Sequence, residues 1–209
     1  MNLTTKLIIL FSFLPVFAFA QNEIVLPKAG LTPESPFYFL DRLGEAIQEF
    51  ITFNPQAKAR LQSTFASERI AEIKVVLETK GVEAKGLDIA QSRLQVNIAK
   101  AASIVSNEKS KGRDVSVLAQ DLSDKFEAPK SALAQTFKEQ KQGLKTKEEE
   151  LKTQLRAAHR AGDTAQEEAI AQELGQVKAQ KELLELKEED IGDELEVEEE
   201  KIEEEMETQ

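Results

Sequence analysis

From residue 35 onward, apolar residues recur at three- and four-residue spacing, and no stretch shows sustained alternation. The pattern predicts an all-α chain with no sheet. Phe37, Leu40, Leu43, Ile47, Phe50 and Ile51 make one face of a first helix that starts at Ser35-Pro36 and runs to about Phe53. Asn54-Pro55 ends it and starts a second helix, to about Lys80, with Leu61, Phe65, Ile70, Ile73 and Leu77 as its stripe and Gly81 just past its end. A third helix spans roughly 84–110, with Leu87, Ala90, Leu94, Ile98, Ala101 and Val105 on one face, and Gly112 stops it.

Asp114 is placed to cap a fourth segment carrying Val115, Leu118, Leu122 and Phe126. Pro129 lacks the N–H that a helix interior needs, so a kink or break is expected there. The stripe resumes with Leu133, Phe137, Leu144, Leu151 and Leu155 and stops at Gly162. Asp163-Thr164 with Glu167 reads as a capping box, making residues 161–163 a tight reversal into a last helix. That helix carries Ile170, Leu174, Val177, Leu184, Ile191, Leu195 and Ile202, with Lys181, Glu188 and Glu198 interrupting the seam. The expected organisation is a helical domain (21–128), a long antiparallel coiled-coil-like hairpin (129–187) and an acidic tail (188–209), solvated and partly disordered. Acidic residues four apart repel and disfavour helix in that tail.

Composition sharpens this picture in three places. Residues 182–209 hold fifteen acids and two lysines, so they carry more than the whole chain's net charge of −11, and the rest is close to neutral. A tail of that sign argues against binding nucleic acid. Six of the eight aromatics after residue 20 lie between Phe37 and Phe65, which predicts a compact core near that end. The chain has no Cys, hence neither a disulfide nor a lipoprotein anchor.

Residues 1–20 read as a cleavable export signal. Lys6 precedes an apolar run, Leu7 to Phe19, and Ala18-Phe19-Ala20 offers small residues for cleavage before Gln21. The run is shorter than the about 20 residues a spanning helix needs, so no membrane span is expected after its removal. The expected location is periplasmic, cell-surface or extracellular.

The stretch Leu26-Pro27-Lys28-Ala29-Gly30-Leu31-Thr32-Pro33-Glu34-Ser35-Pro36-Phe37-Tyr38-Phe39-Leu40-Asp41-Arg42-Leu43 is distinctive, as are Phe50-Ile51-Thr52-Phe53-Asn54-Pro55 and Glu68-Arg69-Ile70-Ala71-Glu72. Over residues 26–140 the chain resembles the domain of unknown function 5667 family, exported or surface-attached bacterial proteins. Asn54 stands where members often have Asp, and either residue caps a helix. The resemblance implies a small all-helical domain and brings no catalytic residues with it.

Candidate chemistry is sparse. His159, the chain's one His, has neither a second His nor a Cys as co-ligand, and it suits the C-terminal end of a helix as a cation. Tyr38, between Phe37 and Phe39, reads as core with a polar tip that finds a hydrogen bond, in preference to a stacking platform. The acidic run lacks a calcium loop and offers at most weak divalent-cation binding. No catalytic, cofactor or metal residue is therefore assigned, and no cofactor is expected. The expectation is a non-enzymatic exported scaffold or interaction protein that binds a protein partner or itself through the helical seams at 133–155 and 170–195. A chaperone-like holdase is the alternative, and a hydrolase the weakest fit.

Overall fold

In a computed structural model, which describes residues 28–207, the chain is all helical: α1 (Tyr38–Ile51), α2 (Pro55–Thr79), α3 (Lys85–Ser110), α4 (Ser116–Ala161) and α5 (Thr164–Glu207). The expected leader and its cleavage point lie outside the described residues. No described helix is long and apolar enough to cross a membrane.

Two antiparallel hairpins, α2–α3 and α4–α5, lie side by side. α2 packs on α3 and α4, α3 also on α5, and α4 on α5, so the four close a ring. Arg60 meets Asp121 near the starts of α2 and α4, and Asp88 meets Lys187 where α3 and α5 run together. The enclosed core draws Ile70, Ile73 and Leu77 from α2 and Leu87, Leu94 and Ile98 from α3. Leu118, Leu122 and Phe137 enter it from α4, and Leu184, Ile191, Leu195 and Ile202 from α5. Near the α2–α3 turn, Gln180 of α5 reaches Glu83. Beyond that level the hairpin projects alone, held by a separate cluster of Leu151, Ala158, Ile170 and Val177.

The core therefore runs across the boundary expected at residue 129. Pro129 is buried inside an unbroken α4, so the expected break is absent. Phe126 and Leu133, on either side of it, sit in the same core, and their burial holds both halves in line despite the lost backbone bond. The acidic segment is helical to Glu207. Ile191, Leu195 and Ile202 are buried, and packing on that side outweighs glutamate repulsion worth only a few tenths of a kcal/mol per pair.

The local stop and start signals act mostly as anticipated. Asn54 Oδ1 accepts from Ala57 N–H at 2.9 Å, with Pro55 opening α2. Gly162 takes the left-handed φ of 69° that closes α4, and its N–H bonds back to His159. Three caps differ from expectation. Val115 takes the N-cap position of α4, and Asp114 instead accepts from Ser116 N–H at 3.0 Å in the turn before it. α1 begins at Tyr38, two residues after Ser35-Pro36, and Ser35 Oγ caps a preceding turn by accepting from Phe37 N–H at 3.3 Å. At the reversal Asp163 performs the capping, accepting from Gln166 N–H at 3.1 Å. Glu167 turns its carboxylate to His159, at 3.3 Å, so the reciprocal box is not formed.

Candidate functional site

α1 is amphipathic, and it lies on the bundle the opposite way round from expectation. Its polar side faces the protein, where Glu45 is its one buried residue. Leu40, Leu43, Ile47, Phe50 and Ile51, the stripe that should have been core, point to solvent together with Phe37, Phe39 and Phe53. These eight are 51–85% exposed. The core expected from the aromatic cluster is thus not built there: of the six aromatics between residues 37 and 65, Phe65 is buried and Tyr38 half-buried.

Arg69 explains why the polar side is down. It stands four residues after Phe65 and four before Ile73, on the stripe that α2 turns inward, and it is fully buried. A buried guanidinium needs carboxylates and hydrogen-bond acceptors. Arg69 donates to Glu45 at 2.6 Å and to the Tyr38 hydroxyl at 3.0 Å, and it lies 2.9 Å from Glu72. Asp41 and Glu68 stand at 3.6 Å. The Tyr38 hydroxyl donates to Glu72 at 3.2 Å, while the Arg69 and Arg93 guanidinium carbons sit 5.8 and 5.6 Å from its ring centre. Arg42 adds a second cation against Glu45.

Carboxylates outnumber arginines in this cluster, and the charge balance shows. Burial, reinforced by Asp41 and Glu45, pushes the Glu72 carboxyl up to about 7 against the pull of Arg69. Burial and the neighbouring Glu72 raise the Tyr38 hydroxyl to about 12. Burial pulls the Arg69 guanidinium down, but Glu72 and Glu45 outweigh it and hold the group more firmly charged than usual. Tyr38 is therefore the half-buried residue with a satisfied polar tip that its sequence context suggests.

Two further ties hold α1 and its approach. Lys100 of α3 pairs with Glu49 at 2.9 Å. Gly86 N–H donates to the Glu34 carboxylate at 2.6 Å, at a point where a Cβ on Gly86 would stand 2.7 Å from that oxygen. Between α1 and α3 runs an open groove of about 670 Å³, floored by Phe65 and edged by Ile89 and Val96. Its cations, Arg42, Arg93 and Lys100, are matched by Glu45, Glu49 and Asp88, so it selects no charge sign.

The other candidates are placed simply. His159 is exposed at the α4 terminus, beside Glu167. No three His, Asp or Glu side chains are grouped as a metal site would need, among the described residues. The seams at 133–155 and 170–195 pack on each other and on the bundle. Arg69 and Glu72 received no role from the sequence beyond their part in a resemblance; the available signal was a charged residue at an apolar-stripe position of α2.

These features define an all-α protein: a four-helix bundle with a projecting antiparallel hairpin and an amphipathic helix mounted on its flank. The chain belongs to the family described as domain of unknown function (DUF5667), whose match covers residues 30–208. The match reaches well past residue 140, so the hairpin and the acidic end are part of the family's domain. No curated protein and no solved structure matches the chain.

Proposed function

We propose that this is an exported, non-enzymatic interaction protein whose docking surface is the outward face of α1. The observation that carries this is the exposure of eight large apolar side chains, six on one short helix and Phe37 and Phe53 just beyond its two ends, anchored from behind by a buried ionic cluster. Such a patch is costly to leave in water, and patches of this kind mark interaction surfaces. Export rests on the leader-like first 20 residues. The surface differs from the one the seams suggested, because the seams are satisfied within the chain.

A holdase with helical arms has less support, since the apolar residues of the projecting hairpin face each other and its outer sides are polar. The test is a pair of charge substitutions, Leu43→Glu and Phe50→Glu. Helix content and the melting of the bundle should stay as in the parent protein, because neither side chain is buried. Association, measured by chemical crosslinking and light scattering, should be lost. Variants that associate like the parent protein would refute the reading.

A further inference from the structure

We infer that the occupant of the α1 face is a second copy of this chain, joined by antiparallel pairing of the two α1 helices about a two-fold axis close to residue 45. The inference rests on the proposal that α1 is a docking surface and names what docks there.

The first argument is area. At about 200 Å² for a whole Phe and somewhat less for Leu or Ile, the eight side chains present roughly 950 Å² to solvent, against about 300–600 Å² for the largest patch on a typical monomer. Covering two thirds of that on both copies buries about 1,250 Å², which enters the range of stable interfaces, about 1,200–2,000 Å².

The second argument is symmetry in the sequence. A two-fold interface sets each residue against its mirror position, so the surface must complement itself. The apolar positions do this about residue 45: Leu43 mirrors Ile47, Leu40 mirrors Phe50, Phe39 mirrors Ile51 and Phe37 mirrors Phe53. Gly44 mirrors Ala46, so both flanks of the face carry small residues at the level of the axis. The match includes Phe37 and Phe53, which lie outside the helix itself.

The third argument is charge. No exposed residue between Phe37 and Phe53 is ionisable. The flanking acids Asp41 and Glu49 are turned toward Arg69 and Lys100. Two copies therefore meet without like-charge repulsion, and antiparallel helices oppose their dipoles favourably. A lipid surface fits less well, because interfacial helices carry a Lys- and Arg-rich polar face, whereas the polar face of α1 is mostly acidic and already engaged.

The experiment uses residues 21–209, parent and Leu43→Glu, in sedimentation velocity and light scattering from 1 to 100 µM, with circular dichroism to confirm equal helix content. The chain has no Cys, so Leu43→Cys and Ile47→Cys each give one thiol. Antiparallel pairing predicts a doubled mass for the parent, a single-chain mass for Leu43→Glu, and a disulfide that forms faster in the mixture of the two Cys variants than in either alone. A dimer that survives Leu43→Glu, or one whose Cys variants crosslink fastest with themselves, overturns the proposal. So does a parent monomer at 100 µM. If that monomer binds an apolar dye through α1, the docking surface stands with another occupant; binding to phosphatidylcholine vesicles would make that occupant a lipid surface. A monomer that binds neither, with Leu43→Glu indistinguishable from it, refutes the docking surface as well.

Discussion

Replacing Arg69 with Met should release α1 from the bundle. The Met chain fills much of the same space, so the change removes charge with little loss of volume. Arg69 is fully buried, and its two nearest carboxylates, Glu72 and Glu45, are buried as well. Without the guanidinium they keep their desolvation cost and lose the hydrogen bond at 2.6 Å and the ion pair at 2.9 Å. Removing one partner of a buried pair costs about 3–5 kcal/mol, because the charge left behind is uncompensated. Most of that loss should fall on α1, whose attachment is chiefly this cluster and the Lys100–Glu49 pair. Hydrogen exchange read by mass spectrometry at pH 8 should show protection of residues 38–51 falling by about 100-fold or more, at about 1.4 kcal/mol per tenfold. The urea transition of the bundle should move less. The deficit should shrink toward pH 5.5, because the Glu72 carboxyl, already raised by burial and then without its cation, can take up a proton. A variant whose α1 protection matches the parent at pH 8 would refute the account of how the helix is held.

Three other outcomes follow. Glu72 has its folded carboxyl raised to about 7 from an ordinary value of 4.5, so it contributes stability that is fully present below pH 4.5 and lost as pH rises through 7. Glu72→Gln should flatten that part of the profile, a difference of about 3 kcal/mol between its two ends, measured by urea titration at several pH values against the parent. Ile202→Ala should cost about 2–4 kcal/mol in the bundle transition, since Ile202 is fully buried, whereas a frayed tail would show almost nothing. Gly162→Ala should cost about 1–2 kcal/mol by thermal melting; the added Cβ meets nothing within 4 Å, so the left-handed φ is the whole cause.

Much of the architecture is legible in the sequence because its punctuation is strong. Asn54-Pro55, Gly81, Gly112 and Gly162 mark the joints, and the apolar spacing between them is helical throughout. Long-range burial decided what local rules left open. Periodicity shows that α1 has two faces, but which one turns inward depends on Arg69, which lies in another helix and demands carboxylates. The local rules for Pro129 and for consecutive glutamates are worth a few kcal/mol at most, and the core residues on each side of them outweigh that. The candidate surface was visible as a list of apolar residues and was misplaced as core for the same reason.

The ring of helices also sets an order of events. The core begun by Ala59 in α2 is completed by Ile202 in α5, the last helix of the ring. A chain stopped before α5 has emerged leaves the inward faces of α3 and α4 without their partner, and such a fragment is a natural target for proteolysis or aggregation. Completion of the bundle waits on the last helix of the ring: a chain that includes α5 can close its core, and one that lacks it exposes it.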